Sequence, residues 1–368
     1  MKKILFITPF APSNIGAAMK FMKKTIETLA EVHQVDLVYF IAEGEKEYVP
    51  NCNNIRILKS YRVSTKNRVF SIAQKPWFFP TFSARFRKGL KNALKKWIKE
   101  EKYDLMFLDH SQSFIYGKYF THVKKILMSH DVIYQRISRT RSKFISAWCH
   151  NTESKLIKQP NASVFSFSTK DKEIIDHEYG INSMVTCGNI DEIAYNTVPK
   201  EKNNTFIFFG QWVRKDNSEG LEWFLKEVYD KTPKHTSYKI IGRGLPERIQ
   251  TLIKHMERIE YRGFVENPYQ EIANSRAVLS PLFSGAGVKF KVLESIACGT
   301  PVIGSKIAFE GIPADYNKFM LLANTPEEYV ELINNTNYSI NECMEMKKKF
   351  LNEYVNPYII KYINELLK

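Results

Sequence analysis

The chain has 368 residues, 44% of them hydrophobic and 25% charged, which excludes a disordered or fibrous protein and gives material for about two domains. Five cysteines, odd in number and never in a C-x-x-C pair, exclude a disulfide framework and a zinc ribbon and point to a reducing compartment. The net charge is +15, and it is uneven: residues 1–198 hold 31 Lys and Arg against 18 Asp and Glu, while residues 199–368 hold 23 against 21. The basic first half suits a polyanionic partner, whether nucleic acid, an anionic membrane face or a phosphorylated acceptor; the other reading is an AT-rich genome that simply favours lysine.

Taken in chain order, the signals alternate between strand and helix. KILFITPF is a near-continuous apolar run, broken by Pro9, Pro12 and Asn14 too early for a signal peptide, so it reads as a buried first strand. Residues 17–32 read as a helix with Phe21, Thr25, Thr28 and Leu29 near one face. Strands follow at 35–41, 103–109, 124–130, 163–169 and 183–187, with a helix over 82–99. The polar stretch 188–204 lacks periodicity and reads as a linker. The second half repeats the pattern: strands at 205–210, 238–242, 259–265, 277–283 and 301–305, with helices near 218–230, after Pro246 and near 288–298. Short apolar strands alternating with helices form parallel sheets covered on both faces. The expected class is α/β, with two doubly wound Rossmann-like domains in tandem. The first is 1–195 and the second is 204–352. Ligands of such sheets bind beyond the carboxyl ends of the strands, so the cleft between the domains is the expected site.

Residues 281–304, PLFSGAGVKFKVLESIACGTPVIG, carry the most chemistry. A strand ends near Leu282, and Ser284, Gly285, Ala286 and Gly287 form a turn almost free of side chains. A helix then opens with Lys289 and Lys291 in its first turn. Lysines oppose a helix dipole at that end unless an anion is bound. Glycines permit close backbone approach and free N–H groups suit phosphate. A glycine turn between strand and helix also occurs with no ligand in many α/β proteins.

This stretch resembles the nucleotide-sugar-binding motif of the family-4 glycosyltransferases, retaining enzymes of the two-domain GT-B type, in the subset with Gly-x-Gly-x-Lys-x-Lys-x-x-Glu. GNID (188–191), FIFFGQW (206–212), IIGRGLPE, YRGFVEN and AVLSPLFSGAG follow in the family's order. The resemblance implies that Glu294 holds the ribose hydroxyls of the donor and that the backbone at Phe264 and Val265 meets the nucleobase. It implies that Gly210, Gly285, Ala286, Gly287, Val288, Lys289 and Arg243 surround the diphosphate, with Lys289 also serving catalysis by neutralising the leaving group. It implies too that 353–368 crosses back to pack on the first domain. No metal and no cofactor is implied; a UDP-, GDP- or dTDP-sugar is the substrate. The pattern departs from the family at Ala286, where a first glutamate is usual. It departs again at Gln211 and Asp216, where the family has a cationic pair that Lys289 with Arg214 or Lys215 would replace.

In the first half, Gly16 sits in the first strand–helix loop, where the family has two adjacent glycines over the donor phosphate. His130 ends a strand in SHDV and corresponds to the family's active-site histidine, with Asp131 and His110 as weaker candidates. Front-face retention requires no enzymic nucleophile. The 81–100 segment spaces Phe82, Phe86, Leu90, Leu94, Trp97 and Ile98 by three and four, with seven Lys and Arg against one Glu. It lies beside the aromatic KPWFFP. That is the composition of an interfacial membrane helix, or of a helix whose stripe covers the sheet. A second basic cluster, Arg136, Arg139, Arg141 and Lys143, suits an acceptor's phosphates.

The resulting expectation is a metal-independent retaining glycosyltransferase. It would transfer sugar to a lipid-linked or phosphorylated glycan acceptor in bacterial surface polysaccharide synthesis (lipopolysaccharide, capsule or O-antigen). It would be cytoplasmic and peripheral on the inner face of the membrane, meeting an anionic membrane surface and no nucleic acid. The alternatives are a sugar-nucleotide epimerase or phosphorylase of the same fold, a nucleic-acid-binding protein using the basic half, and a degenerate binding subunit.

Overall fold

Every strand pairing among the described residues is parallel, and the strands fall into two separate sheets. The computed structural model describes residues 1–14, 17–187, 190–312, 318–354 and 358–368. It divides into one unit of Met1–Asn189 with Pro357–Lys368 and a second of Ile190–Asn356.

In the first unit the strands are β1 (Lys3–Thr8), β2 (Gln34–Ala42), β3 (Ile55–Val63), β4 (Leu105–Asp109), β5 (Lys125–Met128), β6 (Ala162–Ser166) and β7 (Met184–Val185). They lie in the order β3-β2-β1-β4-β5-β6-β7. The helices are α1 (Ala17–Ala30), α2 (Thr65–Ala73), α3 (Pro80–Ser83), α4 (Lys88–Glu101), α5 (Phe114–Gly117), α6 (Ile133–Ser138), α7 (Lys143–Ile157) and α8 (Thr169–Tyr179). β1 and β4 are buried over nearly their whole length, as central strands covered on both faces must be.

The second unit starts with α9 (Glu192–Asn196) and continues β8 (Thr205–Phe209), α10 (Lys215–Glu227), β9 (Ser237–Ile241), α11 (Glu247–Ile253), β10 (Ile259–Gly263), α12 (Tyr269–Asn274) and β11 (Ala277–Ser280). It ends with α13 (Phe290–Ala297), β12 (Val302–Gly304), β13 (Met320–Leu322), α14 (Pro326–Asn335) and α15 (Ile340–Tyr354), in the sheet order β10-β9-β8-β11-β12-β13. The last helix, α16 (Tyr358–Leu366), returns to the first unit. There it buries Ile359 and Ile363 and sets the Tyr362 hydroxyl 2.7 Å from Ser163 Oγ.

Both sheets grow outward from a central pair, β1 beside β4 and β8 beside β11, where the winding reverses. Such a reversal leaves a crevice at the carboxyl ends of the central strands.

Three expectations need correction. The predicted helix 82–99 is broken into α3 and α4: Arg87 is extended (φ −135°, ψ 118°), and the Tyr116 hydroxyl occupies the break, accepting from Arg87 N at 2.9 Å and donating to Arg85 O at 2.7 Å. Its apolar stripe faces inward, with Phe82, Phe86, Leu90, Leu94 and Ile98 in the core and Trp97 half-buried against it. The expected linker 188–204 contains α9, capped by the Asp191 side chain and packed through Ala194 into the second core. Of the three aromatic rings of KPWFFP only Trp77 is exposed, because Phe78 and Phe79 enter the core. No helix of the described residues is long and apolar enough to cross a membrane.

Candidate active site

In the first unit, chemistry gathers at the β1/β4 crevice. Asp109, the last residue of β4, is fully buried and accepts from the Thr8 hydroxyl at the end of β1 at 3.1 Å. His130, just beyond β5, places Nε2 2.7 Å from Asp109 Oδ1. His110 stacks on His130, with ring centroids 3.4 Å apart and planes 13° from parallel. Phe21 and Phe167 set their edges against His130, and Phe10 against His110. His110 holds a left-handed backbone (φ 60°), a conformation that costs a non-glycine residue about 1–3 kcal/mol and that concentrates at functional sites.

Burial, with Asp131 working the other way, pushes the His130 imidazole down to about 3. Burial and the neighbouring His130 push His110 to about 3 as well. The same burial raises the Asp109 carboxyl to about 6 against the pull of His110 and Thr8. Near pH 7 the carboxylate is therefore ionised and can only accept, so His130 carries its hydrogen on Nε2. The loop that follows is anchored by Glu153, buried within α7. It accepts from Ile133 N at 3.0 Å and Tyr134 N at 2.8 Å at the start of α6, and from the Tyr179 hydroxyl at 2.8 Å.

Asp109, His110 and His130 bring one ligand atom each within 4.8 Å of one another, a donor set that a transition metal accepts. Ring-nitrogen lone pairs lie in the ring planes, however, and near-parallel stacked rings send them side by side rather than toward a shared ion. The arrangement suits a hydrogen-bonded stack on a carboxylate better than a coordination sphere.

In the second unit the loops beyond β8, β9, β10 and β11 converge. Gly210 N donates to Ile241 O at 3.1 Å, Gly242 N to Gly263 O at 2.7 Å and Trp212 N to Arg243 O at 3.0 Å. A Cβ on Gly242 (φ 127°) would stand 1.7 Å from Gly210 O, so only glycine lets these two loops meet. The turn after β11 bends through Gly285 (φ 125°) and Gly287 (φ 70°). Lys289 is the N-cap of α13 rather than part of its first turn, and its amine lies over the turn, donating to Gly287 O at 2.6 Å and Ala286 O at 3.3 Å.

Beside that turn, Lys291 donates to Asn217 Oδ1 at 3.0 Å, and Asn217 in turn donates to Gln211 O at 2.9 Å. Burial pushes the Lys291 amine down to about 7, with Asp216 opposing. Asp216 is clamped by Arg214 at 2.8 and 3.2 Å; burial works to raise its carboxyl, but Arg214 and Lys291 hold it below the ordinary value. Arg214 thus spends its charge on Asp216, and Lys215, exposed, pairs with Glu219 at 3.3 Å. Of the cations expected to replace the missing pair, Lys289 faces the turn; Lys291, not among those expected, lies beside it with a shifted amine.

Glu294 is buried one turn into α13 and hydrogen-bonds the Tyr269 hydroxyl, which lies 3.2 Å from Asp191 Oδ2. Burial and these two carboxylates hold that phenol protonated. Phe264 is exposed, Val265 and Val288 pack on the core, and Arg243 is exposed beyond β9. Gly16 lies outside the described residues, as do the first two residues of GNID. The sequence reading missed Asp109, Tyr269, Asn217 and Trp212, whose buried Nε1 has no partner among the described residues. Asp109 had a signal in retrospect: an acid closing an otherwise apolar strand.

Residues 203–336 match the family described as Glycosyl transferases group 1. Solved structures of the same fold include HepE from Anabaena in complex with UDP, at 14% identity and a TM-score of 0.71 over 99% of this chain and 100% of that one. They include the sucrose-phosphate synthase of Thermosynechococcus elongatus, at 11% identity and 0.71 over 96% and 95%. WaaG, a glycosyltransferase involved in lipopolysaccharide biosynthesis, is 12% identical with a TM-score of 0.67 over 96% of each chain. No curated protein matches the chain by sequence. The fold is GT-B, two Rossmann-like domains each built on a parallel sheet. With the family match across most of the second unit, it makes the chain a glycosyltransferase.

Proposed function

We propose that the chain is a retaining glycosyltransferase that moves a sugar from a nucleoside-diphosphate donor to a lipid-linked or phosphorylated glycan acceptor during bacterial surface polysaccharide synthesis, at the inner face of the membrane. The observation that carries the donor assignment is the glycine turn at 285–287, with the Lys289 amine over it and Lys291 beside it at the carboxyl end of β11. HepE, whose crystals hold UDP or UDP-glucose, supports a nucleotide-sugar, and WaaG supports a glycan acceptor of the lipopolysaccharide kind.

In this reading the diphosphate lies against the turn, where Lys289 and Lys291 meet the charge that builds as the glycosidic bond breaks. Glu294 accepts from the ribose hydroxyls, Phe264 and Val265 flank the base, and Arg243 lies near the phosphates. Retention by front-face attack has the acceptor oxygen approach from the leaving-group side, so the donor phosphate takes the acceptor's proton and no carboxylate nucleophile is required. His130, its Nε2 hydrogen committed to Asp109, offers Nδ1 as an acceptor for a sugar hydroxyl. A thermal-shift screen of UDP-, GDP- and dTDP-sugars against the whole chain tests the reading, since a ligand bound only by the native form raises the melting temperature. One class of nucleotide-sugar raises it; no shift with any of them contradicts the proposal.

A further inference from the structure

Residues 48–99 contain thirteen Lys and Arg and no Asp or Glu, and residues 132–152 contain four and none. The fold brings the two stretches together on the first unit. Trp77, in the loop between α2 and α3, is 62% exposed, and Phe144, in the first turn of α7, is 83% exposed. Trp148 joins them: it lies one helical turn beyond Phe144 and donates from Nε1 to Trp77 O at 3.0 Å. The adjoining cations are fixed by ring contacts. The Lys75 amine is 5.3 Å from the Trp77 ring and 5.7 Å from the Tyr119 ring, and Lys91 reaches the same Tyr119 ring at 5.0 Å. From Lys91 a row of lysines continues along the outer face of α4 through Lys95 and Lys99. Arg141 and Lys143, both exposed, flank Phe144.

We propose that this surface seats the first unit on an anionic lipid bilayer, with Trp77 and Phe144 entering the headgroup layer and the lysines meeting lipid phosphates. Large rings left in water beside a field of one sign fit that partner: aromatic side chains favour the headgroup level and basic residues are drawn to a negative leaflet. The placement differs from the one the sequence suggested, because the apolar stripe of α4 is spent on the core while its lysines and the Trp77 loop remain outside. The surface lies on the connections that follow β3 and β5, as His130 does. The proposal rests on the reading of a membrane-borne acceptor and names the surface that meets the membrane.

The test is co-sedimentation of the whole chain with vesicles of phosphatidylcholine, with and without phosphatidylglycerol. Nucleotide-sugar binding is measured separately without lipid, so the two readings fail independently. The wild type should bind the anionic vesicles about ten-fold or more tightly than the neutral ones, and salt should weaken it. Trp77→Ser with Phe144→Ser should lose about ten-fold of vesicle binding while keeping the wild-type melting temperature and donor binding; Phe144→Ser alone serves should the double variant melt early. Equal binding to both vesicle types, or undiminished binding by the variants, overturns the proposal. So does finding that the variants instead lose tighter binding to an oligonucleotide, or convert an oligomer to a monomer with vesicle binding intact.

Discussion

His130 Nε2 and Asp109 Oδ1 lie 2.7 Å apart at the mouth of the crevice between β1 and β4. A buried carboxylate in that place fixes which ring nitrogen carries the hydrogen, and so which one is left to accept a hydrogen bond. Asp109→Asn keeps the volume but presents either an amide N–H or a carbonyl to the ring, so the tautomer is no longer set. The expected outcome is a fall in turnover of about ten-fold or more, on the order of 1.4 kcal/mol in the barrier, with donor affinity unchanged. Steady-state kinetics beside a donor-binding titration checks it, and a pure loss of donor affinity would place Asp109 elsewhere in the machinery.

The same pocket predicts a pH effect on stability. Both imidazoles are pushed down to about 3, so between roughly pH 6.5 and 3 the unfolded chain binds protons that the folded chain excludes. Stability contributed by these histidines is present above that window and is lost as the pH falls through it. Asp109 at about 6 and Glu153 at about 7 act in the opposite sense, since their folded forms hold protons that the unfolded chain has released. Comparing melting of the wild type and His130→Gln removes that background. From pH 7 to 5 the wild type should lose stability relative to the variant, by on the order of 1 kcal/mol. A constant difference across the range would mean that the imidazole titrates normally.

Lys291 predicts a proton linked to donor binding. With its amine at about 7, part of it is neutral at slightly alkaline pH, and a diphosphate brought alongside draws a proton onto it. Titration calorimetry of the preferred nucleotide-sugar in buffers of different ionisation enthalpy should show uptake of up to about one proton, and Lys291→Met should abolish it. Binding heats that do not depend on the buffer would rule out this part of the donor site.

Glu294→Ala should lower transfer by about ten-fold or more through lost ribose contacts worth roughly 1.5–3 kcal/mol. Because Glu294 also bonds Tyr269, the control is Tyr269→Phe, which keeps the carboxylate and removes the hydroxyl. Turnover and donor affinity that survive Glu294→Ala unchanged would remove the ribose assignment.

Much of this architecture can be read from residue order alone, and the reasons for the gaps are physical. Central strands such as β1, β4, β8 and β11 are covered on both faces and show as apolar runs. The missed strands, β3 and β13, are sheet edges; β3, with IRILKSYRV, is polar at half its positions because it is only partly covered. Local periodicity also let 82–99 pass for one helix, since nothing nearby reveals that Tyr116, distant in sequence, inserts its hydroxyl at Arg87. In the turn after β11, Gly285, Gly287 and Lys289 were legible because chain neighbours build the turn. Asp109 under His130 and Tyr269 beside Glu294 were not, because these contacts join separate strands and helices.

The account depends on a diphosphate lying at the turn that follows β11, and a crystal structure with the nucleotide-sugar selected by thermal shift tests this directly. The account predicts phosphate oxygens within hydrogen-bonding reach of the backbone at Gly285–Gly287 and of the Lys289 or Lys291 amine. A nucleotide bound away from this turn, or a turn closed by Lys289 with the ligand elsewhere, would contradict it.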